Sequence, residues 1–444
     1  MSKIKILSYV ISIVFLILPI DSTPKFLCAT NYDDPTKTIF TATVNDNFID
    51  NKIMDITSIE SNYILSSKET ENKTENEVLT NDSMWVLNLC HVTEAWKIST
   101  GKGVKVGIID SGIDYSVPDL KKNEVDAGKC FSCNTIGGCN TNLINGHGTM
   151  VAGIIGSNND LYGATGVSPD ATIVDLRIKH QTATFANIIK AIEYADKNDI
   201  KIVNISFGSG GLTDHTIKKF RAVIKNYDGL IICSAGNNNS NNDIKYHYPS
   251  NFGSEFENVI TVGGCNGNGE KMFESNYGKE TVDVFAPGVD VTVVARCSSD
   301  CCQISNHHHQ NGYSTSLASG TSIAAPFVSG VAALIWSAYP ELSACEVKDT
   351  IMKNVDKIDE LEDLCISGGL INAYKAITNI QRHQYKNENI GKISGHLRTC
   401  SDCGYEGIVD HVFGPVRSSF FNGVLIACQD CGFILEEKYD AEKN

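Results

Sequence analysis

Between residues 104 and 338 the chain alternates two kinds of segment, and this alternation constrains its fold more than any other feature. Short, almost wholly apolar runs occur at 104–109, 173–176, 200–205, 230–233, 259–262 and 282–285. Stretches with helical spacing lie among them, at 149–155, 186–198, 213–225 and 322–338. A strand covered on one face alternates apolar and polar residues, whereas a continuous apolar run needs cover on both faces. Such strands interleaved with helices predict βαβ units and a mainly parallel sheet between two helical layers. The expected fold is therefore a three-layer α/β/α domain.

Composition removes several other classes. Hydrophobic residues make up 42% of the 444 positions and charged residues 20%, which supports a large core and argues against a disordered chain. Against 37 Lys and Arg stand 52 Asp and Glu, a net charge of -15. A surface this acidic repels phosphate backbones, so no nucleic-acid partner is expected.

The ends differ from the middle. Lys3 and Lys5 precede an apolar run that closes near Pro19. That is the pattern of an export signal over 1–22, with a secreted or secretory-pathway destination. No later uninterrupted apolar stretch is long enough to span a bilayer, so no stable membrane span is expected after signal removal. Residues 23–82 are polar, with weak strand-like runs and an almost wholly charged or polar stretch at 68–77 that reads as an exposed linker. The main domain is expected over 83–380, and 385–444 forms a small Cys-rich C-terminal extension.

The chain has 16 Cys, which in an exported protein suggests disulfides. Setting aside Cys28 leaves an odd number, so at least one thiol is expected to be unpaired. Cys130, Cys133 and Cys139, and Cys297, Cys301 and Cys302, read as locally stapled loops, and Cys233 as a small buried hydrophobe. In the extension, Cys400-Ser-Asp-Cys403-Gly and Cys428-Gln-Asp-Cys431-Gly have the spacing of a four-thiolate zinc site. An oxidising compartment would pair the same four as disulfides, and both readings stay open. His307, His308 and His309 read as a solvated insertion.

Three segments carry groups suited to hydrolysis. Val104-Lys-Val-Gly-Ile-Ile-Asp110 places a carboxylate at the carboxyl end of a buried strand, Gly146-His147-Gly-Thr an imidazole at a helix start, and Gly320-Thr-Ser322-Ile-Ala-Ala-Pro326 a hydroxyl at another. Residues outside the carboxyl ends of parallel strands converge on one crevice. A serine hydroxyl is a poor nucleophile at neutral pH and needs a base within hydrogen-bond reach. A histidine, with a reference pKa near 6.5, can take that proton and return it to the leaving amine. A carboxylate on its second nitrogen fixes the tautomer and stabilises the imidazolium. Asp114 and Asn204 could serve in that last role, but Asp110 has the strand-end position.

In this order and with these flanks, the segments resemble the subtilisin-like serine proteases, the subtilase family. Asn204-Ile-Ser206-Phe-Gly208, Ser234-Ala-Gly-Asn237 and Asp283-Val-Phe-Ala-Pro-Gly288 extend the likeness, which runs from about Trp85 to Ala376. The resemblance implies a serine endopeptidase acting on protein and peptide substrates. Ser322 is then the nucleophile, His147 the general base and acid, and Asp110 its orienting partner. The Asn237 side-chain amide joins the Ser322 backbone N–H as oxyanion donor. Loss of the matching amide in subtilisin lowers kcat by roughly 10² to 10³.

The resemblance further implies an extended substrate lying along Ser206, Phe207 and Gly208, with Gly208, Ser234, Ala235 and Gly236 lining the first side-chain pocket. No carboxylate stands among these residues, which disfavours a basic substrate side chain. The family's calcium loop maps onto the side chains of Asp119 and Asp160 and the carbonyls of Asn158, Tyr162 and Ala164, an oxygen set suited to that ion. Residues 23–82 take the position of a prosegment that inhibits the enzyme until the zymogen cleaves itself. Met150 stands where the family often has histidine. A catalytically silent peptide binder and a peptide ligase using the same triad are the alternatives. Asn72, Asn81, Asn204 and Asn238 begin glycosylation sequons, of which Asn204 is expected to be inaccessible.

Overall fold

The computed structural model describes residues 84–120, 126–132, 135–136, 146–158, 164–178, 184–296 and 313–383, with short strands nearer both ends. The central elements, in chain order, are β1 (Lys105–Asp110), β2 (Asp126–Cys130), β3 (Thr135–Ile136), α1 (His147–Gly156), β4 (Thr172–Arg177), α2 (Phe185–Lys197), β5 (Ile202–Ile205), α3 (Asp214–Asn226) and β6 (Leu230–Ser234). They continue with β7 (Val259–Cys265), β8 (Val284–Pro287), β9 (Val291–Arg296), β10 (Tyr313–Ser319), α4 (Thr321–Ala338), α5 (Ala344–Lys353), β11 (Asp356–Lys357), β12 (Gly369–Leu370) and α6 (Ala373–Thr378).

Ten of these strands build one sheet in the order β11-β12-β8-β7-β6-β5-β1-β4-β2-β3. The pairings from β12 through β2 are parallel, and only the two outer pairs are antiparallel. Side chains alternate across a strand, so consecutive apolar residues enter different cores. Ile108 packs with α1, α4 and α5 on one face, while Ile109 packs with α2 and α3 on the other. The continuous apolar runs thus have their cause in cover on both faces, and the three-layer expectation holds.

Helix starts divide by position. Thr184 caps α2 and Thr213 caps α3 through their hydroxyls, and Ser343 forms a capping box with Glu346 on α5. By contrast, α1 and α4 begin on Gly146 and Gly320 with no side-chain cap. Their first N–H groups find distant side chains instead: Gly148 N donates to Ser111 Oγ at 3.2 Å and Thr321 N to Asn237 Oδ1 at 2.8 Å.

Helix α4 corrects one expectation. Its 18 residues have a mean hydropathy of 1.5, long and apolar enough to cross a membrane, but 89% of the helix is buried inside the fold. It is the core helix, apolar all round because it is surrounded on every side.

Elsewhere, Ala29–Thr30, Lys37–Ile39 and Ile64–Ser66 extend the β9–β10 pair into a five-stranded sheet. Beyond residue 384 two three-stranded antiparallel sheets form, at Tyr385–Lys392, Gly395–Cys400 and Glu406–Val409, and at Ser418–Phe420, Gly423–Ala427 and Ile434–Lys438. Cys90, Cys233, Cys265 and Cys365 are buried, unpaired thiols, so the expectation of at least one unpaired thiol is met several times over. Burial pushes the Cys265 thiol up to about 12, which keeps it unreactive. Cys133, Cys139, Cys297, Cys301 and Cys302 lie outside the described residues, as do His307 to His309 and the 1–22 leader.

Candidate active site

Asp110 ends β1 and His147 opens α1. Packing brings them together: His147 Nδ1 lies 2.9 and 3.0 Å from the two Asp110 carboxylate oxygens, and both side chains are buried. Burial disfavours the charged ring, but the adjacent carboxylate's charge and hydrogen bond outweigh it and hold the His147 pKa above its ordinary value. The other candidates for this orienting role are engaged elsewhere. Asp114 accepts from Ser116 at 2.6 Å, and Asn204 bonds Ser206 and Ser329.

Ser322 is the second residue of α4, the helix that packs directly against α1. Its hydroxyl is buried and makes no hydrogen bond among the described residues, so its link to His147 is not closed in this conformation. Such catalytic contacts commonly tighten only with substrate in place. Two side chains fix the backbone here. Asn237 Oδ1 accepts from Thr321 N at 2.8 Å and Thr321 Oγ1 at 3.0 Å. With its oxygen so committed, the amide's other end is the donor. Ser206 Oγ donates to the Ser322 carbonyl at 3.0 Å and accepts from Asn204 Nδ2 at 2.8 Å, while Ser329 Oγ donates to Asn204 Oδ1 at 2.9 Å.

A buried carboxylate–imidazole pair beside a helix-start serine, with an amide fixed at that serine's flank, is the arrangement expected of an acyl-transfer site. The family model for the subtilases matches residues 101–387. The chain belongs to the subtilase family.

Subtilisin DY from Bacillus licheniformis is 34% identical over 287 residues, covering 62% of this chain and 91% of that protein. Subtilisin-like protease 2 from Plasmodium falciparum is 30% identical over 317 residues, which cover 66% of this chain but 22% of that one. Among solved structures, fervidolysin from Fervidobacterium pennivorans superposes with a TM-score of 0.58 at 21% identity, over 77% of this chain and 54% of its own. A lanthipeptide protease gives a TM-score of 0.56 at 26% identity, over 69% and 97%. The protein is thus a subtilisin-like serine endopeptidase, a hydrolase of peptide bonds.

In this subtilase the remaining site expectations fall into two groups. Ser206, Phe207 and Gly208 follow β5, and Ser234, Ala235 and Gly236 end or follow β6, its parallel neighbour, so both segments flank the start of α4. Gly236 has φ +107°, a value that L side chains rarely adopt. At the segment expected to hold calcium, Asp119 Oδ2 accepts from Ala164 N at 3.1 Å and its carbonyl from Asn158 N at 2.8 Å. The Asn158 amide oxygen is buried with no hydrogen-bond partner among the described residues. Asp160 and Tyr162 lie outside the described residues, as do Cys403, Cys428 and Cys431. Cys400 ends a strand of the C-terminal extension. No group of three or more His, Cys, Asp or Glu among the described residues could hold a metal, so an ion near Asp119 would depend on carbonyl and amide oxygens.

Several site-supporting residues escaped the sequence. Asp175 and Arg177 on β4 form a buried ion pair at 2.9 Å, and Tyr115 donates to the same carboxylate at 2.6 Å. This cluster sits under the turn that follows Asp110. A side chain on Gly112 would collide with the Arg177 guanidinium, and Asp175 accepts from Ile113 N at 3.3 Å. Nothing local marks the pair, because each residue occupies one position of an otherwise apolar strand. Asn204 is fully buried, which agrees with its expected inaccessibility to glycosylation, whereas Asn238 is exposed.

Proposed function

We propose that the protein is an exported zymogen whose mature form cleaves peptide bonds through Ser322, His147, Asp110 and Asn237. The buried His147–Asp110 pair, packed against the helix whose second residue is Ser322, is the observation that carries this reading. As Ser322 Oγ attacks the scissile carbonyl, its proton passes to His147 Nε2. Asp110, on Nδ1, stabilises the imidazolium so formed. The carbonyl oxygen becomes an oxyanion that the Ser322 N–H and the Asn237 amide receive as donors. His147 then gives its proton to the leaving amine, and water hydrolyses the acyl-enzyme by the same steps with its own proton in place of that of Ser322. The substrate backbone runs beside Ser206 to Gly208, and the first pocket lies between Gly208 and Ser234 to Gly236.

Residues 23–82 act as the inhibitory prosegment in this reading. A structural calcium fits the oxygen set at Asp119, Asn158 and Ala164 with Asp160 and Tyr162; when bound it ties the loop after α1 to the turn at Asp119. The unpartnered Asn158 amide oxygen supports that assignment.

The decisive experiment compares the full precursor with its Ser322→Ala form. The wild type cleaves itself near residue 80 and takes up a fluorophosphonate; the variant does neither. Equal processing of both, with no labelling of either, refutes the proposal and leaves a silent peptide binder. A labelled amine added to the reaction is incorporated into products only by a ligase.

A further inference from the structure

Two glycines of the substrate pocket face one ring. Gly208 and Gly236 leave the sheet side by side, from β5 and β6, below the start of α4. A Cβ built on Gly208 would lie 2.8 Å from His247 Nε2, and one built on Gly236 would lie 3.1 Å from the same atom. Both glycine segments therefore abut the edge of the His247 imidazole.

That ring is held in place from three directions. Ser209 and Tyr248 exchange backbone hydrogen bonds of 2.8 Å, which ties the segment bearing His247 to the residue after Gly208. Asn251 Oδ1 accepts from His247 N at 2.6 Å. Ser250 Oγ donates its one proton to the His247 carbonyl at 2.7 Å, so in its 2.8 Å contact with His247 Nδ1 it accepts. Nδ1 consequently carries the ring hydrogen, and Nε2 presents a lone pair. The neighbouring polar groups are committed to one another: Asn276 Nδ2 donates to the Ala235 carbonyl and to Asn242 Oδ1, and the Tyr248 carbonyl accepts from Ser209. Burial lowers the His247 pKa to about 4, so the ring is neutral wherever His147 is able to act as a base.

We propose that His247 is a specificity-determining residue, its Nε2 forming an uncharged hydrogen-bond acceptor at the floor of the first substrate pocket. It selects substrate side chains that end in an uncharged donor, the hydroxyl of Thr or Tyr or the amide of Gln, over apolar side chains of the same shape. An apolar occupant strips water from Nε2 and returns no hydrogen bond, whereas a donor restores one. A cation meets no countercharge there. The inference rests on the proteolytic reading above and adds to it a preference that the glycine walls alone do not supply.

The test uses the processed full-chain enzyme, titrated with a fluorophosphonate, and peptide pairs identical except at the residue before the cleaved bond: Thr against Val, Tyr against Phe, Gln against Met. The wild type favours the donor member by roughly tenfold in kcat/KM in the pairs it cleaves. His247→Leu brings the ratio to about one or below, and His247→Gln, which keeps an acceptor oxygen, retains part of the preference. Ratios near one in a labelled wild-type enzyme, or a preference unchanged in His247→Leu, overturn the role of His247 alone. A wild-type enzyme that takes up no fluorophosphonate overturns the proteolytic reading itself.

Discussion

Arg177→Met removes the only cationic partner that Asp175 has among the described residues and tests how the Asp110 turn is supported. Asp175 is 1% exposed and Arg177 3%, so neither charge has water to fall back on. Breaking a buried pair from one side costs about 3–5 kcal/mol, because the remaining charge is uncompensated. Asp175 keeps its hydrogen bonds from Tyr115 and Ile113 N, which places the cost near the lower limit, about 3 kcal/mol. For a domain of this size that is a fall in Tm on the order of 6–12 °C. The pH dependence carries a second signature. Burial already raises the Asp175 pKa, and Arg177 pulls it back; without the guanidinium the folded-state value rises further. A carboxyl with a raised folded pKa stabilises the native state at low pH and loses that contribution as pH climbs through the folded value. The deficit of Arg177→Met is therefore full at neutral pH and shrinks on acidification toward the unfolded pKa near 4. Urea denaturation of the Ser322→Ala form, which removes self-digestion, measures it at pH 7 and pH 5. The double variant Asp175→Leu/Arg177→Met regains much of the loss, since it buries no lone charge. Because Arg177 fills the space beneath Gly112, kcat of the active single variant also drops, by up to about a hundredfold. A variant within about 0.5 kcal/mol of wild type, or a deficit that does not change with pH, refutes the argument.

Two further outcomes are expected. Since Asp110 raises the His147 pKa, kcat/KM rises with pH through a midpoint above the ordinary histidine value of 6.5, and a profile with its acid limb well below 6.5 contradicts the pairing. Saturating calcium raises the Tm of the Ser322→Ala protein, by an amount equivalent to about 2.7 kcal/mol at a hundredfold excess over Kd, and Asp119→Asn abolishes the increment; equal calcium responses in the two proteins would remove Asp119 from the site.

The alternation of apolar and helical segments made the three layers readable, because burial on both faces leaves a mark in every strand. Asp110, His147, Ser322 and Asn237 could be named as candidates from the chain itself, since each sits in a short motif tied to a strand end or helix start. Helix α5 and the β9–β10 pair were not picked out: one is a short amphipathic helix capped by Ser343 and Glu346, and the other flanks a Cys-rich stretch of sequence that obscures its pattern. The apolar length of α4 is equally compatible with a membrane and a protein core, and only its surroundings decide between them.

The sequence alone determined which chemical groups this subtilase carries and which elements bear them. Those facts depend on local periodicity and on residue types at fixed spacing. Tertiary structure alone decided what stands behind them: Arg177 beneath Gly112, Ser206 under the Ser322 carbonyl, and His247 meeting Gly208 from 39 positions further along the chain. Each of these contacts pairs a common residue with a distant neighbour. Neither partner differs, within its own stretch of chain, from residues that do nothing of the kind.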